Sequence, residues 1–138
     1  MRTCIVFLLL VVSAASGAEK AQFWGTWEPV PLLREFWRPV RDTWWACNKK
    51  DECGPDSRLR KRCAEFARSH SPDVAIPAIV EDLRQFGSFA NELVYLTMMS
   101  HWPRNTVLRT LESLRRSPDA GIRSSAELVL EDFTEVDE

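Results

Sequence analysis

Apolar residues along most of the chain recur at three- and four-residue spacing, the signature of helices that bury one stripe. Leu33, Phe36, Trp37, Val40, Trp44 and Cys47 form the first such series, with Pro39 expected to kink or divide the helix that carries it. After a polar loop, Asp56 or Ser57 is placed to cap a helix running to about Ser69. That helix buries Leu59, Cys63, Phe66 and Ala67 and turns the Arg58 to Arg62 basic run outward. Further helices are expected from about Val74 to Phe86 and from Phe89 to about Ser100, separated by Gly87-Ser88. Pro103 and Asn105 restart the pattern, with Val107, Leu108, Leu111 and Leu114 on one helix and Ile122, Ala126, Val129, Leu130 and Phe133 on the last. No strand pattern competes. The expected fold is all-α, a short stack of about six helices preceded by an irregular, Trp-rich arm over Ala21 to Pro31.

The second half of the chain repeats itself. Ser71-Pro72-Asp73-Val74-Ala75-Ile76 returns as Ser117-Pro118-Asp119-Ala120-Gly121-Ile122, and each copy separates one amphipathic stretch from the next. Such a period points to stacked helix pairs. Proline cannot continue the preceding helix, and the aspartate side chain can accept from the free amides that open the following one, which predicts a tight corner at both copies. Over Thr106 to Phe133, the leucines of the first helix, the Ser117-Pro118-Asp119 corner, Ile122-Arg123 and Ala126 together resemble the HEAT-repeat family. The resemblance implies a structural role for Asp119 and Arg123, and by the repeat for Asp73, in holding neighbouring units together. It covers the earlier copy only loosely, because Pro77 stands where Arg123 stands and an additional helix from Phe89 intervenes. That unit is a degenerate repeat or closer to the three-helix armadillo type.

The beginning of the chain follows a different grammar. Arg2, the apolar run Ile5 to Val12 and the small residues Ser13 to Ala18 read as a signal peptide, expected to be cut ahead of Glu19. The run is shorter than the roughly 20 residues that cross a bilayer, so no stable membrane anchor is expected after processing. The resulting organisation is a signal peptide over 1–18, a Trp-rich arm, capping helix and cysteine loop over 19–56, a HEAT-like helical region over 57–133 and an acidic tail over 134–138. The expected destination is secreted or periplasmic.

Charge and cysteine content refine this picture. Residues 19–70 hold 11 basic and 8 acidic side chains, whereas residues 71–138 hold 6 basic and 12 acidic ones. No basic face of the kind that nucleic acids require is evident, but the opposite charge of the two halves permits head-to-tail association without requiring it. Three cysteines follow the signal, Cys47, Cys53 and Cys63. In an oxidising compartment a disulfide is the first expectation, with Cys47–Cys53 across the polar loop preferred and Cys53–Cys63 as the competitor. His70 could complete a zinc set, but the spacings lack the close pairs of structural zinc sites, so no metal and no cofactor are expected.

Three function classes remain. Helical repeats present surfaces, so the resemblance implies a non-catalytic module that binds another protein. Alternatively, Trp24, Trp27, Trp37, Trp44 and Trp45, five of the six tryptophans, could build a pocket for a carbohydrate or small ligand, with Trp24, Trp27 and Trp45 as the binding residues. Trp44 and Trp45 are adjacent, so one helix cannot turn both inward, and Trp45 is the better candidate for exposure. Large aromatics at helical spacing more often form core. An enzyme is not expected: the only imidazoles are His70 and His101, and no nucleophile elbow, metal-binding His pair or Gly-rich phosphate loop is present. Paired carboxylates such as Glu81, Asp82 and Glu92 could in principle serve acid–base hydrolysis, but acidic residues on amphipathic helices are nearly always the solvated face.

Overall fold

Prolines open two helices and precede the first residue of a third in the computed structural model, which describes residues 27–42, 44 and 57–136, while Pro77 lies inside a helix. Six helices have their bounds among these residues, and no strand occurs among them. Helix α1 (Pro31–Trp37) opens on a proline at its first turn, where the missing N–H would have had no partner in any case. It buries Leu33, Phe36 and Trp37. A turn over 38–40 follows and helical geometry resumes at Arg41, Asp42 and Trp44, so Pro39 divides the predicted helix.

The break at Pro39 leaves carbonyls at the end of α1 without their usual amides, and a neighbouring helix supplies the donors. Val40 N–H reaches Trp37 O at 3.0 Å, while the Arg62 guanidinium donates to Glu35 O at 3.0 Å and to Phe36 O at 2.6 and 3.2 Å. Arg62 also lies 5.6 Å from the Phe36 ring centroid. A cation at a helix C-terminus is further favoured by the helix dipole. Arg62 belongs to α2 (Ser57–Ser69), which buries the Leu59, Cys63, Phe66 and Ala67 stripe. The basic run is therefore not uniformly a solvated face, because one of its arginines joins two helices.

Helix α3 (Pro72–Gln85) is the centre of the fold. It packs against α1 and against three later helices, α4 (Phe89–Met99), α5 (Arg104–Leu114) and α6 (Ala120–Val136). Contact on several sides explains why it buries Ala75, Ile76, Ile79, Val80 and Leu83 and also Asp82. Ser88 caps α4 by accepting from Asn91 N–H at 3.4 Å. Trp102, between α4 and α5, donates from Nε1 to Ala67 O and His70 O, both at 3.0 Å, fastening that connection to the end of α2.

The two copies of the repeated corner pack differently. Helices α5 and α6 lie along each other as the hairpin predicted, but α2 lies along α4 and not along α3. The corner residues also bond differently. At the later copy, Asp119 Oδ1 accepts from Ile122 N–H at 3.0 Å, and Arg123 donates to Ser117 O at 2.8 Å and Pro118 O at 3.0 Å. At the earlier copy Pro77 stands in place of Arg123 and cannot make that clamp. Helix α3 also starts at Pro72, so Asp73 falls inside the first turn instead of capping it, and Ser71 makes no side-chain cap. Asp73 instead sits 3.4 Å from the Thr110 hydroxyl, whose nearer acceptor is Thr106 O at 2.8 Å. The expectation of a tight corner with a capping aspartate is corrected for Asp73, and the capping aspartate is Asp119.

Candidate functional site

The tryptophans among the described residues are packed inward. Trp27 and Trp37 are fully buried and Trp44 nearly so, with Trp27 and Trp37 in edge contact at 5.0 Å and Trp37 edge-on to Tyr95 at 5.9 Å. Trp27 therefore offers no face to a surface pocket, while Trp24 and Trp45 lie outside the described residues. The indole N–H groups feed two buried polar arrangements instead. Trp37 Nε1 donates to Tyr95 Oη at 2.8 Å, and Tyr95 donates to Asp82 Oδ2 at 2.5 Å. Val30 N–H reaches Asp82 Oδ1 at 3.1 Å, tying the extended arm over 27–30 to α3. Burial pushes the Asp82 carboxyl above its ordinary range, opposed by these hydrogen bonds, and it pushes the Tyr95 hydroxyl well up.

The second arrangement joins α4 to α6. Trp44 Nε1 donates to Asn91 Oδ1 at 3.0 Å. The neighbouring Glu92 is 5% exposed and faces Asp132 of α6. Burial first, and then Asp132, push the Glu92 carboxyl up to about 8. Asn91 Nδ2 and Glu92 Oε1 are both buried without a hydrogen-bond partner. Glu81, by contrast, is a surface carboxylate held below its usual range by Arg84, which donates to it at 2.8 and 2.5 Å. The three carboxylates that hydrolysis would need thus occupy different environments: Glu81 on the surface, Asp82 inside the core, Glu92 at the α4–α6 contact.

The remaining sequence candidates are placed as follows. His70 stacks on Phe66 at 4.0 Å and its Nδ1 lies 3.1 Å from Phe66 O. Cys63 is a free, buried thiol with Sγ 3.6 Å from Val94 O, and burial pushes it up to about 12. The Cys47–Cys53 pairing lies outside the described residues, as does the signal segment. No group of three or more His, Cys, Asp or Glu side chains among the described residues is arranged to hold a metal ion. No helix among them is long and apolar enough to cross a membrane.

What the surface does offer is a groove of about 670 Å³ between α2 and α4, lined by Ser57, Arg60, Lys61, Leu93, Leu96, Thr97, Ser100 and His101. One turn before Leu93 on the same helix stands Phe89, 72% exposed. Leu93, Leu96 and Thr97 form the floor, and Arg60 and Lys61 form a cationic rim. These residues escape a reading based on aromatic content or catalytic motifs. The available signal is that α4 is apolar on more than one face: Phe89 and Leu93 fall on a different stripe from the buried Val94, Tyr95 and Met98, and Leu96, 7% exposed, borders both. No protein-family model, curated protein or solved structure matches this chain.

Proposed function

We propose that the mature chain is an exported, non-catalytic protein-interaction module and that the α2–α4 groove is the surface it presents to another protein. The single observation that carries this reading is the apolar lining of Leu93 and Leu96 one turn from exposed Phe89, beside the cations Arg60 and Lys61 of α2. An apolar stripe with a charged border suits a partner segment that lays an amphipathic face into it. The HEAT-like character of the α5–α6 hairpin supports the same reading, since helical repeats act by presenting surfaces. The alternative, a Trp-lined pocket for a carbohydrate or small ligand, loses Trp27 to the core and has less to stand on.

The test compares the chain from Glu19 onward with its Phe89→Ser variant as affinity baits in an extracellular or periplasmic extract. The substitution removes an exposed side chain, so the melting temperature should stay within about 2 °C, given the small effect of surface changes. A protein retained by the parent chain and lost with Phe89→Ser supports the groove. Retention unaffected by Phe89→Ser, or copurification of a sugar or lipid in place of any protein, overturns it.

A further inference from the structure

Charge is segregated between two helices of this fold. Helix α2 presents exposed Arg58, Arg60, Lys61 and Arg68 against one exposed acid, Glu65. Helix α6 carries exposed Glu127, Glu131 and Glu135 at successive i, i+4 positions, so the three form one ridge on its outer side. Beside that ridge stands Leu128, 53% exposed, an apolar side chain with no core to enter. Glu127 is shared with Arg115 at 3.9 Å. The two surfaces are complementary in both respects: a cationic rim over an apolar floor, and an anionic ridge bearing an apolar knob.

We propose that the occupant of the α2–α4 groove is the α6 ridge of a second copy of this chain, with Leu128 set over Leu93 and Leu96 and with Glu131 and Glu135 facing Lys61 and Arg58. The proposal rests on the groove reading above and names its partner. Helix α4 contacts both α2 and α6, which do not pack along each other, so groove and ridge are separate surfaces of one molecule. A contact between two different surfaces is heterologous: a joined pair keeps one groove and one ridge unused, and copies add in series. The attraction between exposed charges is screened over about 10 Å at 0.1 M salt, so association is weak and strongly salt-dependent.

Sedimentation velocity on the full mature chain over a wide concentration range, at low and high sodium chloride, reads this out. The expected result is mass that grows with concentration at low salt and an apparent affinity at least tenfold weaker at high salt. Lys61→Glu disables the groove and Glu131→Lys disables the ridge, so each variant alone should be monomeric. Mixed together they retain one good groove and one good ridge and should form a 1:1 dimer that grows no further. Leu128→Ser, with charge unchanged, should weaken association at least threefold, and circular dichroism confirms that each variant is folded. A chain monomeric throughout the low-salt range overturns self-association, while the Phe89→Ser capture experiment judges the groove separately. Parent chains that associate while the mixed variants stay monomeric, or grow beyond a dimer, overturn this pairing of surfaces.

Discussion

Replacing Glu92 by Gln should make the protein less sensitive to alkaline pH, and the size of the effect follows from where the carboxyl sits. Glu92 is nearly excluded from solvent, faces Asp132, and holds its proton up to about 8, against an ordinary value of 4.5. Because the folded state binds this proton more tightly than the unfolded chain, the stabilisation it brings is complete below pH 4.5. It is lost as pH rises toward 8, at up to about 1.4 kcal/mol per pH unit. The full shift corresponds to about 5 kcal/mol as a ceiling. Sharing of the proton with Asp132 and local relaxation bring the expected loss between pH 5 and pH 8 to about 2–3 kcal/mol. Glutamine keeps the shape of the protonated acid and cannot ionise. Urea unfolding followed by tryptophan fluorescence, at intervals from pH 5 to pH 9, should give Glu92→Gln and parent curves of similar stability near pH 5. The variant should be more stable by about 2 kcal/mol near pH 8. Asp82 is also held above its ordinary range and contributes a slope of the same sign in both proteins, so the difference between the two curves is the informative quantity. Parallel curves across the whole range would refute the shared-proton account of the α4–α6 contact.

Three further outcomes follow from the same geometry. Tyr95→Phe removes the donor to Asp82 and the acceptor for Trp37 Nε1 together, and should cost about 2–3 kcal/mol in urea unfolding, since both groups left behind are buried. Asp119→Ala deletes the cap on α6 and should cost about 1 kcal/mol, whereas Asp73→Ala, which caps nothing, should change stability by less than about 0.5 kcal/mol; equal effects in thermal unfolding would contradict the different corner geometries. Cys63, buried with its thiol pushed up to about 12, should remain unlabelled by iodoacetamide in the native protein at pH 8 and become labelled in urea, as peptide mapping would show.

Most of the helical pattern is legible in the sequence because it rests on local signals. Pro39 divides its helix, Gly87-Ser88 separates two more, and the stripe from Leu59 to Ala67 is buried as spacing requires. What local pattern could not show is which helix pairs with which. The repeated Ser-Pro-Asp corner suggested that α2 folds back on α3 as α5 does on α6, but the two corners differ in their hydrogen bonds and in the helices they join. Arg123 holds the carbonyls of Ser117 and Pro118; Pro77, at the matching place, has no donor to offer. The buried stripe of α2 packs on α4, and this pairing sets Arg60 and Lys61 beside Leu93 and Leu96. The tryptophans show the same limit from the other side. Their number raised the idea of a pocket, yet Trp37 and Trp44 direct their N–H groups to Tyr95 and Asn91, partners separated from them by 58 and 47 residues in the chain. An indole whose donor is satisfied inside is suited to core packing. The candidate site therefore arises from helix pairing: α2 packs along α4, and the groove forms where they meet.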